Sequence, residues 1–141
     1  MKLILAIDFD GTIAKTEYPL IIGLMPHAKE VINKLSDEGH IIIVNSCRAN
    51  QPAEMMRRFL DEHGILYHHI NENSPHRIQT YGSDTRKISA DLYIDDHNLG
   101  CTIINWLTVY DEIQYYISRE KSLQGIQAPE QTGRSKQSNE V

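Results

Sequence analysis

Five apolar residues, Leu3-Ile4-Leu5-Ala6-Ile7, run directly into Asp8-Phe9-Asp10-Gly11-Thr12. A run this short falls far below the roughly 20 residues of a membrane-spanning helix and reads as a buried, central β-strand. Its end carries two carboxylates spaced i, i+2, which on an extended chain point to the same side. Gly11 lets the backbone turn away, and the Thr12 hydroxyl is free to hydrogen-bond locally as the turn tightens. Acids crowded at the end of a buried strand are costly unless a cation sits between them. The pattern points to metal-assisted handling of phosphate.

The rest of the chain alternates strand-like runs with helical periodicity. Residues 14–24, with Tyr18-Pro19 and Gly23 as turn signals, read as a loop or short hairpin. Pro26 opens a helix with Ala28, Val31, Ile32 and Leu35 at helical spacing, and Gly39 ends it. Ile41–Val44 is a second buried strand. Asn50 caps a second helix with Pro52 in its first turn, Met55, Met56, Phe59 and Leu60 on its apolar face and Gly64 at its stop. Ile65-Leu66-Tyr67 begins a third strand, and Ser74-Pro75 starts a short helix closed by Tyr81-Gly82. Asp91–Ile94 is a fourth strand entering Asp95-Asp96. Trp106–Tyr110 reads as a fifth, with Asp111 capping a last helix that carries Ile113, Tyr116 and Ile117.

From about Arg119 the sequence turns polar and reads as a flexible tail. The expected organisation is an α/β domain over residues 1–118 and a tail over 119–141. The domain is a three-layer, Rossmann-like parallel sheet with helices on both faces and ligands outside the carboxyl ends of the strands. Neither gap between the strands is long enough for a separate cap domain, so the site is expected to be open or screened by a partner in a homo-oligomer.

Composition narrows the partners. A chain of 141 residues fits one domain, and its net charge of −5 with no basic patch argues against nucleic acid and leaves a small phosphorylated substrate. Two cysteines, Cys47 and Cys101, form neither a disulfide framework nor a CxxC metal motif, which suits a reducing compartment. With no signal-peptide core and no membrane span, the expected location is the cytoplasm. The seven histidines show no paired ligand spacing, which argues against zinc.

In a parallel sheet the strand ends share one rim. Asp8 and Asp10 sit there, Ser46 follows the second strand, Asp95-Asp96 follow the fourth, and Lys87 precedes the fourth within reach of the same crevice. This set, above all DFDGT together with YIDD, resembles the haloacid dehalogenase superfamily of phosphohydrolases in its small capless form, over about the first 118 residues.

The resemblance implies that Asp8 attacks phosphorus and becomes an aspartyl-phosphate, while Asp10 protonates the leaving oxygen and then activates water. It implies Mg²⁺ held by Asp8, the main-chain carbonyl of Asp10 and one of Asp95 or Asp96, the other serving as support. Ser46 and the Cys47 amide would bind phosphoryl oxygens, Lys87 would meet the developing charge, and Arg48 lies close enough to touch substrate.

Other readings compete. A calcium loop needs more oxygen ligands than Phe9, Ile13 and Ala14 supply. A cysteine phosphatase needs a loop between Cys and Arg, whereas Cys47 and Arg48 adjoin, so Cys47 is expected as a small buried thiol. A phosphotransferase remains the enzymatic alternative. A non-catalytic phospho-acceptor or metal-binding regulatory domain is the alternative from another class.

Overall fold

The computed structural model describes the backbone of residues 1–127. The chain forms β1 (Ile4–Ile7), β2 (Ala14–Glu17), β3 (Leu20–Leu24), α1 (Ala28–Asp37), β4 (Ile41–Val44), α2 (Asn50–Glu62), β5 (His69–Ile70), α3 (Pro75–Tyr81), β6 (Leu92–Ile94) and α4 (Trp106–Gln127). Four of the strands make a parallel sheet in the order β5-β4-β1-β6, while β2 and β3 pair as a separate antiparallel hairpin. The fold is α/β, with a four-stranded parallel sheet flanked by helices.

β1 lies between β4 and β6 and is buried throughout, as its unbroken apolar run requires. Alternation along the strands divides the core in two. Leu5, Ile7, Ile42 and Val44 pack with Val31, Ile32 and Leu35 of α1, Met56 and Leu60 of α2, and Trp106, Val109 and Ile113 of α4. Ile4, Ala6 and Ile43 point the other way and meet Ile88, with Ile41 and Ala90 against them. The short α3 adds no buried side chain. Its Arg77 instead pairs with Asp91 at 3.0 Å, and Asp91 also accepts the Ile4 N–H at 2.7 Å.

Two strand expectations are corrected. Residues 65–67 form no strand: Ile65 is buried, the Leu66 N–H donates to Asn33 Oδ1 (2.8 Å), and pairing with β4 begins only at His69. Trp106–Tyr110 is helical. Asn105 Oδ1 accepts the N–H groups of Leu107 and Thr108 at 3.1 and 3.3 Å, capping α4 six residues before Asp111. The spacing Trp106, Val109, Ile113 then carries the buried stripe of a helix. The β-forming types at 106–110 yield to this cap and this burial. The helix also runs past Arg119, where the polar tail was expected to begin, and residues 128–141 lie outside the described residues.

Between β1 and α1 the chain makes only the β2–β3 hairpin, and between β5 and β6 only α3, so no cap domain interrupts the described residues. Among them, no helix is long and apolar enough to cross a membrane.

Trp106 joins the core to the strand-end loop, its buried indole Nε1 donating to the Thr12 carbonyl at 2.8 Å. Trp106→Phe keeps most of the buried ring and leaves that carbonyl without its partner, at an expected cost of about 1–3 kcal/mol. Urea unfolding followed by circular dichroism measures it, since the variant removes the one tryptophan fluorophore.

Candidate active site

The register of the sheet sets the site. Ile7 of β1 lies opposite Ile94 of β6 and Val44 of β4, so the next residues, Asp8, Asp95 and Asn45, leave the sheet side by side. The Asp8 N–H donates to the Ile94 carbonyl at 2.9 Å, which carries the pairing one residue past the strand. Asp8, Asp95 and Asp96 each place a carboxylate oxygen within 4.8 Å of the other two. Only one of the last pair was expected to face Asp8, by strand alternation. β6 ends at Ile94, however, and the chain turns at once, with Asp95 Oδ1 accepting the His97 N–H at 2.8 Å. Alternation no longer applies there, and both carboxylates come round to Asp8.

Three small contacts hold this arrangement. Thr12 Oγ1 donates to Asp8 Oδ2 (3.0 Å) and accepts the Asp96 N–H (3.1 Å), so one hydroxyl spans both ends of the site. Thr12 itself is fully buried. Gly11, at φ +81°, lies so close to Asp96 that a Cβ there would stand 2.2 Å from Oδ2. A side chain at position 11 would meet both steric overlap and a left-handed backbone.

The electrostatics follow. Two unit charges at about 4.8 Å repel by about 3–4 kcal/mol at an effective dielectric near 20. Burial, then the charge of Asp95 and the neighbouring Asp96, push the Asp8 carboxyl up from 3.8 to about 7, against the opposing Thr12 hydrogen bond. An all-oxygen donor set of three carboxylates matches a hard divalent cation, which would relieve that repulsion.

Asp10 is held differently. Arg48 Nη2 donates to its Oδ1 at 2.7 Å, Arg48 Nε to its Oδ2 at 2.9 Å, and Thr16 Oγ1 to its Oδ1 at 2.8 Å. Burial alone would raise the Asp10 pKa, but the Arg48 and Thr16 hydrogen bonds and the guanidinium charge bring it below the ordinary carboxylate value. Arg48, placed beside the substrate by proximity in the sequence, proves almost fully buried. Its Nη1 donates to the carbonyls of Pro19 (2.9 Å) and Pro52 (3.2 Å), and its guanidinium lies over the rings of Phe9 and Tyr18. It ties the acid loop to the hairpin and to α2.

A cavity of about 440 Å³ opens over these groups, lined by Asp8, Asp10, Asp95 and Asp96 with Thr16, Tyr18, Cys47, Arg48 and His97. A second, of about 290 Å³, shares Asp8 and Asp95 and contains Lys87, Asn45 and Asn98. Lys87 shares that cavity with Asp8 and Asp95 without an ion pair to either, its ammonium 5.5 Å from the Tyr93 ring centre. Ser46 lines neither cavity. Its hydroxyl accepts the Arg48 N–H (3.1 Å) and its own N–H donates to Asn71 Oδ1 (2.7 Å), so it shapes the loop. Cys47, expected as a buried thiol, is exposed. Asn45 escaped the sequence reading although it stands one residue past β4, as Asp8 does past β1. Tyr18 was read only as part of a turn, and Thr16 carried no sequence signal.

The charge balance yields a direct test. Asp8 has a folded-state pKa above its unfolded value, so its ionisation opposes folding: that stability is full below about pH 4 and is lost as pH rises through about 7. In chelator at pH 8, Asp8→Asn should melt above wild type, and the gap should close by pH 4; equal melting temperatures at pH 8 would contradict the clustered charge.

No protein-family model and no curated protein matches the chain. A solved structure of a conserved protein from Bacteroides thetaiotaomicron is similar to it at 29% identity and a TM-score of 0.72, covering 92% of this chain and all of that one.

Proposed function

We propose that this chain is a phosphomonoester hydrolase of the haloacid dehalogenase kind, with Asp8 as nucleophile and Mg²⁺ as its cation. The reading is supported above all by one observation, the convergence of Asp8, Asp95 and Asp96 within 4.8 Å beside Asp10 and an open cavity. With it go the three-layer description of the fold, in which α3 and the segment through Ile88 make the thinner outer layer, and a reducing, cytoplasmic setting suited to two exposed, unbonded cysteines.

The chemistry follows from the carboxylates. An Asp8 oxygen attacks phosphorus, the ester P–O bond breaks and the leaving oxygen takes a proton from Asp10; water then attacks phosphorus, gives its proton back to Asp10, and frees Asp8 and inorganic phosphate. Mg²⁺, when bound by Asp8, Asp95 and Asp96, offsets the repulsion between the carboxylate and the phosphate dianion. Asp10 is the proton-handling group. Held ionised by Arg48 and Thr16, it is ready to accept the proton of the attacking water. Lys87, which lines the second cavity with Asp8 and Asp95, would supply positive charge there.

The same Arg48 contacts favour one alternative. An Asp10 that keeps its partners does not protonate a leaving group, and the protein would then act as a long-lived phospho-acceptor. Phosphate release from an aryl phosphate in MgCl₂ decides between the two. The hydrolase reading expects release that EDTA and Asp8→Asn abolish and that Asp10→Asn lowers by about 10²–10⁴-fold. A stable phosphoprotein without turnover would favour the acceptor, and full activity in Asp8→Asn would end both.

A further inference from the structure

We infer that the Tyr18 ring is a stacking platform that selects phosphomonoesters carrying a planar aromatic group. The inference deepens the hydrolase reading and rests on it only for placing the phosphate at Asp8. Tyr18 sits at the tip of the hairpin, between β2 and β3, and lines the cavity that contains Asp8 and Asp10. Its ring is 65% exposed. A large aromatic side chain left open beside an acid cluster is an unfilled contact surface.

The ring also has a rigid backing on one side. The Arg48 guanidinium carbon lies 5.1 Å from its centre, and Arg48 is itself anchored by Asp10 and by the carbonyls of Pro19 and Pro52. A planar ligand would therefore meet a ring already supported by a buried, anchored guanidinium, which limits the freedom lost on binding. Stacking an aromatic group on such a ring is worth roughly 5- to 150-fold in affinity.

The other lining groups point the same way. A sugar phosphate needs several free donors and acceptors around its hydroxyls. Thr16 already donates to Asp10, and outside the acid cluster and Arg48 the remaining side chains are Tyr18, Cys47 and His97. Nucleoside monophosphates and simple aryl phosphates share the chemistry the platform selects.

The test is calorimetric and uses the full chain in MgCl₂ with probes that cannot turn over: benzylphosphonate and its saturated counterpart, cyclohexylmethylphosphonate. Wild type should prefer the aromatic probe by about tenfold, within the range expected of one stacked ring. Tyr18→Ala should erase that preference and Tyr18→Phe should keep it, with circular dichroism confirming that each variant folds. Equal affinities in wild type, a preference that survives in Tyr18→Ala, or no binding of either probe would overturn the proposal. The two sources are separated by kcat/KM for phenyl phosphate and for adenosine monophosphate, the one selected being that which falls further in Tyr18→Ala. A Tyr18-dependent preference without phosphate release sinks the hydrolase reading alone; release from aromatic and aliphatic esters alike, indifferent to Tyr18, sinks the platform alone.

Discussion

Like charges held close together are the constraint around which the carboxyl-terminal rim of the sheet is organised. Asp8, Asp95 and Asp96 would separate if the chain allowed it, and the surrounding structure is what prevents them. Parallel pairing of β1 with β6 sets Asp8 beside Asp95, and the tight turn after Ile94 adds Asp96. The Thr12 hydroxyl bridges the first and last of the three, while Trp106 anchors the Thr12 carbonyl to the start of α4. A cluster of three carboxylates that could hold a cation is built in this way, the cost of their repulsion carried by the hydrophobic core beneath.

Arg48 organises the other half of the site. It is buried although charged, which is tolerable only because all three of its nitrogens have partners: Nε and Nη2 donate to Asp10, and Nη1 donates to the carbonyls of Pro19 and Pro52. Lysine could not make these contacts, since a single ammonium lacks the planar fork that reaches three segments at once. The two carboxylates of the Asp-x-Asp pair, alike in sequence, thereby acquire opposite character, one pushed toward the neutral form and one held ionised.

Much of this was legible in the chain. Apolar strands ending in acids, helices opened by proline and closed by glycine, and a short hairpin after β1 all follow from local chemistry. So did the meeting of Asp8 with the Asp95-Asp96 pair, because a parallel sheet brings strand ends together whatever their distance in sequence. What escaped was decided elsewhere. Trp106–Tyr110 has strand-forming residue types, and only the Asn105 cap and the burial of Trp106, Val109 and Ile113 make it helical. Ser46 was expected to bind a phosphoryl oxygen and Arg48 to touch substrate, both from their position after β4; Arg48 does line the acid cavity. Their hydrogen bonds to Asn71, Asp10 and the prolines, which depend on tertiary approach, could not be read from the sequence. The Tyr18 ring owes its setting to Arg48, 30 residues away in sequence, and no local pattern announces it.

The hairpin also has a closed neck. The Met25 N–H donates to the Ile13 carbonyl at 2.8 Å, so the chain leaves the β1 loop and returns to α1 through one hydrogen-bonded gate. Beyond that gate the two hairpin strands pair only with each other, and not with the four-stranded sheet. Doubling the length of a flexible segment there would add only about 0.6 kcal/mol of closure entropy. The molecule thus carries a natural grafting point, at which longer insertions would rebuild the walls of the cavity while the acids underneath kept their spacing.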